Sequence, residues 1–165
     1  MYDQHWKWQW VLTGGTLAIL ILVALCAPAV SATELYIPAL TASRGQSIEL
    51  PVMIDNVANL AGVKLVMKYD AKALTFRKGT KTKQTSSMMH IVNDKEPGVL
   101  IAVMAAARGI QAKDMPILML MFDVKKDAAI TSSIQLEITE VQLMSDTLKD
   151  IKCTIKIGRL TISGK

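Results

Sequence analysis

Cysteine is nearly absent: the 165-residue chain has two, Cys26 in an apolar stretch near the amino terminus and Cys153 near the other end. If the leader is removed, one thiol remains and no intrachain disulfide can form, so burial alone must hold the fold. Histidine is as scarce, with His5 and His90. From residue 33 onward His90 has no second histidine to complete a common metal set, and it reads as a partly exposed strand residue. Aromatics make up 5% of the chain, and Trp6, Trp8 and Trp10 all lie in its first ten residues. Beyond Ala32 only Tyr36, Tyr69, Phe76 and Phe122 are left, so aliphatic and methionine side chains must fill the core. No phosphate-cradling glycine loop, EF-hand loop or nucleophile-elbow pattern occurs, and no carboxylate pair stands in a recognisable hydrolase setting. An enzyme is not expected.

A long membrane-spanning run is also missing. The apolar stretch from Thr16 to Ala27 is short for a span, Gly14-Gly15 and Pro28 bracket it, and Lys7 precedes it. Val30-Ser31-Ala32 supplies small residues suited to a signal peptidase. Residues 1–32 are therefore expected to be a cleaved secretory signal, with an uncleaved anchor as the rival. In that case alone would the chain touch a membrane. The expected location is secreted, extracellular or at the cell surface, with a periplasmic site possible. The net charge of +5 comes from 19 basic and 14 acidic residues, interspersed. The one basic cluster, Arg77, Lys78, Lys81 and Lys83, lacks aromatic interleaving and reads as a solvated loop, not a nucleic-acid groove.

Residues 33–165 suffice for one core and one domain. Within Leu60–Phe76 (LAGVKLVMKYDAKALTF), Val63, Leu65, Met67 and Tyr69 fall on one face, with Lys64, Val66 and Lys68 on the other. That period of two marks a strand with one face in a core. Similar alternation covers Ile48–Ile54 and Ser133–Met144, and further strands are expected at Leu35–Leu40, Met88–Val92, Val99–Ala106 and Ile117–Val124. Ile151–Ile157 and Leu160–Ile162 are expected to pair with each other across Gly158-Arg159. Asn56–Ala61 and Arg108–Pro116 read as loops, and Asn93–Gly98 (NDKEPG) is the strongest turn signal. About ten short strands without a long helix predict an all-β sandwich.

The passage IELPVMIDNVANLAGVKLVMKYDAKALTF resembles the opening of a cohesin domain. PGVLIAVMAAARGI, PILMLMFDVKKDA and the terminal IKIGRLTIS extend the likeness over nearly all of residues 33–163. The resemblance implies a jelly-roll β-sandwich of about nine strands, secreted and non-catalytic. It implies a dockerin-type protein module as partner, and contact with polysaccharide only indirectly, through extracellular assemblies that degrade it. In such pairs the partner carries the calcium. Asn93-Asp94-Lys95-Glu96 and Asp55-Asn56 offer oxygen ligands, but turn chemistry accounts for them, and no cofactor is expected on this chain.

The family's gripping surface maps here onto Gly62, Lys64, Val66 and Lys68 of the central strand and onto Ile101, Val103 and Ala106. Cellulosomal cohesins tend to carry Asn and Asp at the first two positions and an acid at the last. Gly62, Lys64 and Ala106 depart from this, which points to a partner other than a standard cellulosomal dockerin, one that carries acids to meet Lys64 and Lys68. In Val99–Ala106 both alternating sets are apolar, and the sequence leaves open which is buried. Two other functions fit a sandwich of this kind. A carbohydrate-binding module would need a strip of flat aromatics, for which only Tyr36 is available. A structural or adhesion subunit would have no dockerin partner.

Overall fold

Leu50, Val52, Ile54, Val63, Leu65 and Met67 alternate with exposed or half-buried neighbours, and all six are buried in one cluster. They lie on a single strand. The computed structural model describes residues 32–164, so the expected signal over 1–32 lies outside the described residues except for Ala32. The described residues contain eleven strands and no helix. In order these are β1 (Thr33–Ile37), β2 (Leu40–Ser43), β3 (Ser47–Tyr69), β4 (Leu74–Lys81), β5 (Met89–Asn93) and β6 (Val99–Val124). There follow β7 (Thr131–Ile134), β8 (Leu136–Ser145), β9 (Asp150–Ile151), β10 (Cys153–Ile157) and β11 (Leu160–Ser163).

The antiparallel pair of β3 and β6 is the spine. A straight strand of 23 residues would run to about 75 Å, far beyond the width of one domain. Register shifts between Val52 and Met53 and twice between Val57 and Gly62 interrupt the ladder, and such irregularities bend paired strands together. Two half-sheets result. In one, the first part of β3 and the last part of β6 lie in the order β10-β1-β3-β6-β4. In the other, the last part of β3 and the first part of β6 lie between β5 and β8, with β9 beyond. Inward residues of both halves share one core, so the halves face each other. Phe122, fully buried in the first half, meets Tyr69 from the end of β3 edge-on at 5.1 Å and Phe76 at 5.5 Å. A three-stranded sheet, β2-β11-β7, adds Ala42, Ile134, Leu160 and Ile162 to the core.

The bend is held by side chains. Asn59 adopts a left-handed backbone (φ 64°), and its Nδ2 donates to Asp146 Oδ1 at 2.6 Å. The Gly109 N–H donates to the other oxygen of Asp146 at 3.3 Å. A Cβ on Gly109 would stand 2.6 Å from the Asn59 carbonyl carbon, so only glycine lets the two bends approach this closely.

Three expectations need correction. Asn56–Ala61 and Arg108–Pro116 are not free loops but the bent middles of β3 and β6, because the two irregular stretches face each other and keep pairing. The segment expected as one strand over Leu35–Leu40 is broken at Pro38-Ala39, where the chain leaves one sheet for the other. β10 and β11 do not pair across Gly158-Arg159. Each runs parallel to a strand from the start of the chain, β10 to β1 and β11 to β2. Gly158 N–H donates to Ile37 O at 2.6 Å, and a Cβ there would meet the Pro38-Ala39 backbone, so the two segments change sheets side by side.

Candidate partner-docking face

The outward surface of the half-sheet β5-β6-β3-β8 is built by pleating alone. On β6, Leu100, Ala102 and Met104 are buried, which turns Ile101, Val103 and Ala105 outward. On β3, burial of Val63, Leu65 and Met67 turns out Gly62, Lys64, Val66 and Lys68. Cross-strand register then sets the rows. Met89, Ala105, Gly62 and Met144 form one; Ile91, Val103, Lys64 and Gln142 the next; Asn93, Ile101, Val66 and Glu140 a third. Four strands spaced about 4.8 Å apart give a shelf about 14 Å across, wide enough for a helix of about 10 Å diameter.

The β5–β6 side of the shelf is apolar and wet. Met89 is 77% exposed, Ile91 68% and Val103 44%. They are neighbours on β5 and β6, whereas Ile130, Leu148 and Ile155, the other large exposed hydrophobics among the described residues, lie on separate elements or loops. Gly62 is a shallow dip, with Met144 Cβ 3.3 Å from where its own Cβ would stand.

Six of the seven residues mapped onto this surface from the sequence share the face: Gly62, Lys64, Val66, Lys68, Ile101 and Val103. Ala106 does not. It continues the inward set of β6 and packs, partly buried, against the core. The lysines also differ from the expected bare cationic rim. Lys64 Nζ is 2.6 Å from Glu140 Oε1, and Lys68 is in register with Glu137 on β8. The rim thus carries both signs.

Met89 and Ile91 were missed in the sequence because MHIVN is short and apolar on both faces. No local signal separates the two faces, since Val92 is β-branched and apolar like Ile91. His90 is half-buried, and its Nε2 lies 3.2 Å from Gly79 O, which accepts from the Nε2–H tautomer. Tyr36, the one aromatic available for a sugar platform, pairs with Met53 on the opposite half-sheet. No three His, Cys, Asp or Glu side chains gather to hold a metal among the described residues.

The sequence model of the cohesin domain matches residues 33–162. The chain belongs to the cohesin family. This cohesin is similar in structure to the sixth cohesin of scaffoldin B from Acetivibrio cellulolyticus, solved in complex with a mutant Cel5 dockerin. The TM-score is 0.70 at 19% identity, covering 81% of this chain and 100% of that one. It is also similar to a non-cellulosomal cohesin from the archaeon Archaeoglobus fulgidus (TM-score 0.69, 18% identity, 81% and 92% covered). A third likeness is the cohesin module of a family 33 glycoside hydrolase from Clostridium perfringens (TM-score 0.66, 13% identity, 81% and 98% covered). No curated protein matches in sequence. At these identities the likeness carries the sandwich fold, which agrees with the all-β jelly roll of about nine strands expected from the sequence.

Proposed function

We propose that this cohesin is a non-catalytic, exported binding module that docks a dockerin-type protein on the outward face of β5-β6-β3-β8. The observation that carries the reading is the contiguous exposure of Met89, Ile91 and Val103 on a flat sheet face, in a family whose solved members include dockerin complexes. Exposed apolar surface of this kind is stabilised by cover. Val103, Ile101 and Ile91 would be the desolvated apolar patch on the β5–β6 side, and Lys64, Lys68, Glu137 and Glu140 a mixed charged flank that sets register. The partner's contacting face is then chiefly apolar, with calcium on the partner. Contact with polysaccharide is indirect, through the assembly that the partner joins. Export rests on the apolar run and Val30-Ser31-Ala32.

The test is capture from the native secretome on the immobilised protein, with calcium and then with a chelator. Recovery of a protein with a duplicated calcium-loop motif, released by the chelator, supports the reading. Retention of the protein itself on cellulose or chitin, with no such capture, overturns it in favour of direct sugar binding.

A further inference from the structure

Nine of the ten methionines lie in the described residues, and their environments differ sharply. Met67 and Met88 are 1% exposed and Met104 is 2%. Met89 stands alone among them at 77%. Met88, the residue just before β5, is buried in the core, whereas Met89, the first residue of the strand, lies on the outward face with Ile91. Across the ladder Met89 faces Ala105, whose methyl group cannot cover a thioether, and its neighbour on the same face is Ile91.

Exposure largely decides which methionines a peroxide reaches. We infer that Met89 is a site of reversible oxidation that turns the docking face from adhesive to polar. This rests on the docking reading above. In the oxidising step the Met89 sulfur attacks hydrogen peroxide and the O–O bond breaks. One oxygen joins the sulfur as a sulfoxide and the other leaves as water. The sulfur gives up the two electrons that the peroxide gains. In the reverse step a thiol-dependent reductase removes that oxygen as water while two thiols become a disulfide. The sulfoxide brings a strong acceptor into the apolar patch formed by Met89, Ile91 and Val103. A partner face that is apolar there must strip its water without replacing the hydrogen bond, which should weaken docking about ten-fold or more.

The experiment treats the secreted protein with graded hydrogen peroxide and follows peptides by fragment-ion mass spectrometry, which separates Met88 from Met89. One added oxygen is expected at Met89 before any other described methionine, with the circular dichroism spectrum unchanged. Oxidation of Met88 or another described methionine first overturns the assignment. Calorimetry against the dockerin-bearing protein recovered by capture then compares each sample before and after peroxide. The expected result is a loss of about ten-fold that methionine sulfoxide reductase reverses. In Met89→Leu, whatever its starting affinity, peroxide should cause no change. An equal peroxide-induced loss in Met89→Leu, or no loss in the parent, overturns the switch. If the untreated protein captures no dockerin, the docking reading falls and the switch with it, while the peptide map still decides whether Met89 is the oxidant-sensitive residue.

Discussion

Replacing Gly109 by alanine probes the bend that folds the β3-β6 spine into two layers. The added Cβ would sit 2.6 Å from the Asn59 carbonyl carbon and 2.7 Å from its Cα, with the Asn59 side-chain oxygen closer still. The side chain can rotate away, but the backbone contacts cannot be relieved without separating the two bends. Overpacking against backbone costs about 1–3 kcal/mol, and the upper part of that range applies where both neighbours are main chain. Separation would also lengthen the Gly109 N–H bond to Asp146, a loss of about 0.5–1.5 kcal/mol. At about 3–5 °C per kcal/mol for a domain of this size, the two costs together should lower the melting temperature by roughly 8–22 °C. Asn59→Gly removes the side-chain part of the clash and suits the φ of 64°. It also forfeits the Asn59 hydrogen bond to Asp146 and leaves the backbone contacts in place, so combined with Gly109→Ala it should recover little or none of the loss. Thermal and urea unfolding followed by circular dichroism measure both. A Gly109→Ala protein melting within about 2 °C of the parent would refute the close approach of the two bends.

Other outcomes follow from the charges and the thiol. The Ser47 hydroxyl and then the Arg77 guanidinium hold Asp123 below the usual carboxylate range. A value depressed in the folded state means that the ion stabilises above the ordinary carboxylate pKa and that this contribution is lost as pH falls through the folded value. Asp123→Asn should therefore flatten the stability profile below about pH 4, and an unchanged acid limb would count against the cluster. Burial raises the Cys153 thiol, so it should react more slowly with Ellman's reagent at pH 8 in the native protein than in urea. Equal rates would place Cys153 in solvent. Lys64→Ala breaks an exposed pair with Glu140 and should cost less than about 1 kcal/mol, read by thermal melting. Partner affinity should depend only weakly on salt, since both lysines of the rim face glutamates.

The strand at Leu60–Tyr69 was legible because lysines and aliphatics alternate cleanly there, and period two has one structural meaning. Val99–Ala106 was not, since Ile101, Val103 and Ala105 are as apolar as Leu100, Ala102 and Met104. Only the opposing half-sheet decides which set it buries. Asn56–Ala61 looked like a loop because Asn56 and Asn59 favour turns locally. The pairing that keeps it in the sheet comes from residues about fifty positions away. The same distance hid the parallel pairs of β10 with β1 and β11 with β2, since nothing local to Ile151–Ser163 encodes a partner at the start of the chain. Ala106 was placed on the docking face by family position, yet the alternation from Leu100 already assigns it inward. The mixed rim was hidden for a simpler reason: Lys64 and Lys68 are visible in one strand, but Glu140, which pairs with Lys64, and Glu137, opposite Lys68, come beside them only across the ladder.

Val103→Asp tests the docking face most directly. Val103 is 44% exposed, beside Ile91 and Lys64 in its row, so an aspartate there keeps its water and disturbs little packing. In the docked state that charge would be buried against an apolar partner without a counter-ion. Calorimetry against the captured dockerin-bearing protein, with a thermal melt of the same sample, reads both consequences. Binding lost by at least about a hundred-fold at a melting temperature within about 2 °C of the parent is the predicted result. Full binding by Val103→Asp at an unchanged melting temperature would contradict the assignment of this face, and unfolding would contradict its exposure.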